Sequence, residues 1–85
     1  MTIDMLYFAW VRERIGTGQE RVDPPGAVRN VADLICWLAD RSPGHAAAFA
    51  EPARLRAAID QRFVALDALL GDAREVAIFP PVTGG

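Results

Sequence analysis

The chain has 85 residues, of which 52% are hydrophobic and 24% charged, and its formal net charge is -2. A chain of this length holds one hydrophobic core, so we expect a single folded domain. The acidic balance argues against a nucleic-acid or anionic-membrane ligand, and no apolar run suits a bilayer span or a signal peptide. The single cysteine fits a reducing compartment, and we expect a cytoplasmic protein.

The first half of the chain predicts two strands followed by a helix. Residues 3–10 and 19–22 have strand character, and residues 11–15 between them fit one helical turn. Asn30 is a suitable N-cap for the helix, and residues 41–44 contain the Pro-Gly signal that should end it. The apolar residues between these limits recur at the spacing of one buried helical stripe: Val31, Leu34, Ile35 and Leu38.

The second half predicts mainly strands. Residues 46–50 suit a short helical piece, and residues 68–71 suit a tight turn. The remaining segments predict a strand at 55–59, a turn at 60–62, a strand at 63–66 and a final strand at 74–79.

This order of elements predicts an α+β fold, with a mixed sheet of about five strands packed on one main helix. The last strand is apolar at every position from Val76 to Phe79, as a central strand is, and the first strand should be its parallel neighbour. This is the layout of a ubiquitin-like β-grasp domain. We expect that domain to span residues 1–79, with an extended C-terminal tail at 80–85.

One face of the predicted sheet carries more apolar side chains than a solvated face needs. Side chains alternate across a strand, so Asp4 and Glu75 mark the outer face of the first and last strands. We expect an apolar partner surface there, formed by Leu6, Phe8, Ala77 and Phe79 and extended by Phe63. The alternative is that residues 46–54 fold over this face.

The tail has the composition of a reactive end. Prolines lack N–H donors and stiffen the exit from the sheet, while terminal glycines leave an unhindered carboxylate. Six residues reach roughly 20 Å, enough to enter a partner's active site. Acyl chemistry at the carboxylate would require activation, for which adenylation by ATP is the usual route. The tail residues are Pro80, Pro81, Val82, Thr83, Gly84 and Gly85.

The sequence from Phe79 to Gly85, FPPVTGG, resembles the C-terminal signature of the small subunits of molybdopterin synthase. The segment from Leu6 to Gly16 resembles the start of the same family. The resemblance implies that a partner enzyme uses ATP to adenylate Gly85, which then becomes a thiocarboxylate. It also implies that the tail inserts into the large synthase subunit and gives its sulfur to a cyclic pterin precursor, with Phe8, Phe63 and Phe79 facing that subunit.

The sequence has no metal-ligand cluster, no phosphate-binding loop and no acidic pair spaced for acid–base catalysis. We therefore expect that the chain binds no cofactor or metal itself and is not an enzyme on its own. A separate sulfur-donating enzyme would supply the sulfur indirectly. Three alternatives stay open: a sulfur carrier of thiazole synthesis, a protein modifier that forms isopeptide bonds, and a binding module with an idle tail. All nine cationic side chains are arginine, so in any isopeptide bond through lysine this chain would be the donor.

Four other residues are not predicted to carry function. Cys36 should be partly exposed on the helix, and no basic neighbour in sequence would activate its thiol. His45 should lie in a loop without a second metal ligand. Trp10 and Trp37 should pack against the domain.

Overall fold

The structure, a computed structural model, describes residues 1–81. Its elements in chain order are β1 (Ile3–Tyr7), α1 (Ala9–Ile15), β2 (Gln19–Val22), α2 (Val31–Ala39), α3 (Pro43–Ala48), a 3-10 turn (Pro52–Arg54), β3 (Arg56–Ile59), β4 (Arg62–Val64) and β5 (Glu75–Phe79). No helix in this part of the chain is long and apolar enough to cross a bilayer.

The five strands form one mixed sheet in the order β2-β1-β5-β3-β4. β5 lies at the centre, parallel to β1 and antiparallel to β3, and the other pairs are antiparallel. The parallel pairing of the first and last strands is therefore confirmed. With its helices on the inner face, the sheet has the ubiquitin-like β-grasp arrangement that the sequence predicted.

The core lies between the inner face of the sheet and α2. Asn30 caps this helix, because its side-chain oxygen accepts a hydrogen bond from the Asp33 N–H at 2.7 Å. The four residues of the predicted stripe are buried against inner-face side chains of β1 and β5. Those side chains are Ile3, Met5, Tyr7, Val76 and Ile78, as the alternation predicted.

The first strand ends three residues earlier than predicted. β1 stops at Tyr7, and α1 begins at Ala9, whose φ of 54° turns the chain out of the sheet. An alanine in the left-handed region is uncommon and gives no sequence signal. The helical turn predicted at 11–15 is therefore the end of a longer helix.

The residues predicted to end α2, at positions 41–44, instead lead into and begin α3. Ser42 accepts a hydrogen bond from the His45 N–H at 3.1 Å, and Pro43 occupies the first turn of α3. α2 has already ended at Ala39, and α3 covers Pro43–Ala48, so the helical piece predicted at 46–50 lies too late.

β3 and β4 form a hairpin that also holds β5. Asp60 and Gln61 both have positive φ and make a two-residue turn, one residue shorter than predicted. The Asp60 carboxylate accepts hydrogen bonds from the Arg74 and Glu75 N–H groups at 3.1 and 3.0 Å. The predicted tight turn at 68–71 is instead two turns that flank an isolated bridge between Asn30 and Leu69.

Candidate functional site

The tail leaves the sheet from its central strand. β5 ends at Phe79, after which Pro80 is half-buried and Pro81 is exposed. The remaining predicted tail residues, Val82, Thr83, Gly84 and Gly85, lie outside the described residues, so the role of Gly85 stays a prediction.

The outer face of the sheet brings the predicted partner residues together. Strand register places Leu6 beside Ala77, Ala77 beside Ala58, and Ala58 beside Phe63. One apolar row therefore crosses four strands, from β1 to β4. Phe79 lies one step along β5, nearer the tail.

On this face, Phe63 and Phe8 are exposed, whereas the neighbouring alanines are buried. Phe63 is 83% exposed and Phe8 is 48% exposed, whereas Ala77 and Ala58 are 8% and 7% exposed. The rings of Phe63 and Phe79 pack with their centroids 5.8 Å apart. We call Leu6, Phe8, Phe63, Ala77 and Phe79 the apolar patch; its use as a partner surface stays a prediction.

Residues 46–54 do not cover the apolar patch. Ala48 and Phe49 are buried in the core, where the Phe49 ring packs 6.2 Å from the Tyr7 ring. Because Tyr7 points to the inner face, this segment lies on the helix side of the sheet. The alternative in which it folds over the outer face is therefore wrong.

A cation that was not predicted from the sequence lies at the edge of this patch. Arg56 lies opposite Phe79 in the β3–β5 pairing and borders a cleft of about 240 Å³ with Phe63 and Phe79. Alternation along β3 could have placed it, because Asp60 marks the outer face four residues later. The register of β3 against β5 was not available from the sequence.

A buried polar cluster on the inner face was also not predicted from the sequence. His45 is 7% exposed, and its Nε2 lies 2.6 Å from a Glu20 carboxylate oxygen, which also accepts the Tyr7 hydroxyl at 2.7 Å. The other ring nitrogen of His45 lies 2.7 Å from the Ser42 hydroxyl. The cluster ties β1, β2 and α3 together, so His45 lies in a helix and is buried, not in a loop as predicted.

The cluster shifts the titration of two of its members. Burial, followed by the Glu20 hydrogen bond, raises the pKa of Tyr7 well above its ordinary value, so Tyr7 stays neutral and donates. Burial acts to raise the pKa of Glu20, but hydrogen bonds from His45 and Tyr7 outweigh it and hold that pKa below its ordinary value. Glu20 is therefore an ionised acceptor between two donors.

The other residues set aside in the sequence are exposed or pack against the core. Cys36 is exposed, as expected. Trp10 and Trp37 are half-buried against the core, and the guanidinium groups of Arg14 and Arg41 lie 4.4 and 5.1 Å from their respective ring centroids. Within residues 1–81, no group of three or more metal-binding side chains is placed to hold an ion.

Comparison with known proteins places this geometry in a family. Residues 5–85 match the sequence model of the ThiS family. The chain belongs to the ThiS family. It is 44% identical to the molybdopterin synthase sulfur carrier subunit of Escherichia coli K12, over 98% of this chain and 99% of that protein.

Solved structures of similar fold include proteins from two archaea. One is a putative molybdopterin converting factor, subunit 1, from Pyrococcus furiosus, with a TM-score of 0.74, 26% identity, and coverage of 96% of this chain and 99% of that one. Another is SAMP1 from Haloferax volcanii, with a TM-score of 0.72, 24% identity and complete coverage of both chains. The similarity to SAMP1 shows that the two proteins share a fold, and no more than that.

Proposed function

We propose that the chain is the sulfur-carrier subunit of a molybdopterin synthase, with the C-terminal carboxylate of Gly85 as its reactive group. The observation that carries this proposal is the 44% identity, over nearly the full length of both chains, to the Escherichia coli sulfur carrier subunit. That relationship favours molybdopterin synthesis over the thiazole and protein-modifier alternatives, which would use the same kind of tail.

The geometry of the sheet supports a carrier that works inside a partner. Phe79 belongs to the apolar patch and is also the last residue of β5 before Pro80. A large subunit that covers the patch would therefore meet the tail at its root. From there the six tail residues reach roughly 20 Å, which would bring Gly85 into an active site while the domain stays outside.

In the proposed chemistry, the terminal carboxylate is the only group of this chain that reacts. An adenylating partner would let a Gly85 carboxylate oxygen attack the α-phosphorus of ATP, which forms an acyl-adenylate and releases pyrophosphate. Sulfide released by a sulfur-donating enzyme would then attack the acyl carbon, form the C–S bond and displace AMP. The resulting thiocarboxylate would deliver sulfur to the cyclic pterin precursor, with the catalytic side chains supplied by the large subunit.

Deletion of Gly85 should abolish sulfur transfer without unfolding the domain. The deletion moves the carboxylate back by about 3.3 Å, and errors of roughly 1 Å already cost about 10²-fold in a positioned reaction. With the adenylating enzyme, ATP and a sulfur source, intact-mass measurement should show one oxygen replaced by sulfur in the wild type. The deletion variant should then form no molybdopterin with the large subunit.

Thr83→Ser is the matched control, because it keeps the tail length and the terminal carboxylate. It should still acquire sulfur and support synthesis. If the chain without Gly85 makes molybdopterin at the wild-type rate, the terminal carboxylate is not the sulfur carrier.

A further inference from the structure

Arg56 is a charged side chain beside an apolar surface. Its cross-strand partner on β5 is Phe79, and both line the cleft of about 240 Å³, together with Ala57, Phe63 and Val64. Arg56 and Phe63 are exposed, and the Phe63 ring packs 5.8 Å from the Phe79 ring, centroid to centroid.

The guanidinium group of Arg56 is hydrogen-bonded to backbone carbonyl oxygens and not to a carboxylate side chain. Its Nη1 donates to the carbonyl oxygens of Ala53 and Leu55 at 3.2 and 2.8 Å. Among the residues that the structure describes, Arg56 forms no ion pair, whereas Arg21 on the same face pairs with Asp4 at 2.8 Å. An arginine carries five N–H donors, so Arg56 keeps donors for a ligand outside this chain.

We propose that Arg56 binds a carboxylate of the large subunit, next to an apolar side chain of that subunit that enters the cleft lined by Arg56, Phe63 and Phe79. This inference rests on the proposed function, because it names the chemistry with which the synthase partner meets the apolar patch. It commits to an Asp or Glu flanked by a hydrophobic residue.

The partner residue is expected to be acidic because burying the Arg56 cation without a counter-ion costs free energy. A partner that covers the cleft removes water from Arg56, and a desolvated charge without a counter-ion weakens a complex. The backbone contacts hold the guanidinium in place, so little side-chain freedom remains to be lost when a carboxylate binds. Complementary charges at an interface select the correct partner and speed its association, and truncating one member of a close pair weakens the complex.

The test measures the Kd for the large subunit from the same organism by calorimetry, at low and at high salt. Arg56→Met keeps an unbranched apolar side chain and removes the guanidinium charge, and we expect about a tenfold loss of affinity at low salt. Arg56→Glu should cost more, about 100-fold, because it places two carboxylates together. Arg62→Met, at the hairpin end of β4, changes the net charge equally and should bind within about twofold of the wild type.

Two further results decide the proposal. The salt dependence of binding should be weaker for Arg56→Met than for the wild type, and reversing one acidic residue of the large subunit to Lys should restore binding to Arg56→Glu. If Arg56→Met binds as tightly as the wild type, or no acidic residue gives this rescue, the proposal is wrong. A wild-type chain that does not bind the large subunit would overturn the proposed function as well, which distinguishes the two failures.

Discussion

Glu20 accepts hydrogen bonds from two side chains that the sequence places far from it. His45 is 25 positions away and Tyr7 is 13 positions away, yet both reach the same carboxylate oxygen. Buried polar groups are costly unless they are paired, and here each partner satisfies the other. The cluster therefore fixes α3 against the strands β1 and β2.

The lowered pKa of Glu20 gives stability a defined pH dependence. A carboxylate with a lowered pKa in the folded state stabilises that state above its unfolded pKa, here the ordinary value of 4.5, and the contribution is lost as the pH falls through the folded pKa. Wild-type unfolding free energy, measured in urea at a series of pH values, should therefore fall in acid below that value. Glu20→Gln should lose less stability over the same interval.

Tyr7→Phe provides a graded comparison, because it removes one of the two donors and leaves His45 in contact with Glu20. Its pH dependence should lie between those of the wild type and Glu20→Gln. Parallel curves for all three proteins would mean that the cluster does not couple to folding.

At the scale of elements, α3 packs against the end of α1 through a glycine. A Cβ at position 44 would lie 2.5 Å from the backbone oxygen of Arg14 and 3.2 Å from that of Ile15. Both are backbone atoms, so neither moves aside as a flexible side chain would. Gly44 thus sets how closely α3 approaches α1.

Gly44→Ala should destabilise the domain by about 1–3 kcal/mol, the usual cost of forcing atoms into a packed contact. Gly26→Ala is the matched control, since a Cβ there meets nothing within 4 Å. It should be neutral or slightly stabilising, by about 0.4–1 kcal/mol at most. Denaturant unfolding of both variants tests the contact, and equal stabilities would contradict it.

Elements with a strong local pattern were predictable, and elements that depend on distant contacts were not. The stripe of α2 and the apolar run of β5 identify the core and the central strand, because burial demands those patterns. The Ser42-Pro43-Gly44 sequence was interpreted as the end of α2, but α2 already ends at Ala39 and these residues begin α3. Ala9 was missed because a left-handed alanine leaves no periodic signal. The position of Arg56 beside Phe79 could not be predicted because it depends on the register of β3 against β5.

At the scale of the whole molecule, the tail root and the apolar patch meet on one side of the sheet. Leu6, Ala77 and Phe63 come from three different strands, and Phe79 joins them to Pro80. The sequence predicted Leu6, Phe8, Ala77 and Phe79 from side-chain alternation, and Phe63 from its place after the hairpin turn. The position of the buried Ala58 within this surface depends on the pairing of β3 with β5 and could not be predicted.

Phe63→Asp should leave the fold intact and weaken assembly with the large subunit. The wild-type ring is already largely in solvent, so the folded domain loses little, whereas the complex would have to bury a carboxylate in an apolar contact at a cost of several kcal/mol. Circular dichroism checks the fold, and gel filtration with the large subunit checks the assembly.

Leu69→Asp is the control for a general effect of removing an exposed apolar side chain. Leu69 is also largely exposed, but its backbone bridges to Asn30 at the start of α2 and not to the patch strands. This variant should assemble normally. Equal losses for the two variants would place the partner surface elsewhere.

The central position of β5 also decides how the domain responds to a mechanical load. β5 is hydrogen-bonded to β1 on one side and to β3 on the other, and the tail continues directly from its end. A pull on Pro80 therefore loads both ladders in shear, so that many hydrogen bonds resist at once. A tail that continued from an edge strand would load a single ladder, so that fewer hydrogen bonds would resist the same pull. A partner that draws this tail into a narrow channel can thus hold it under tension while the domain remains folded at the entrance.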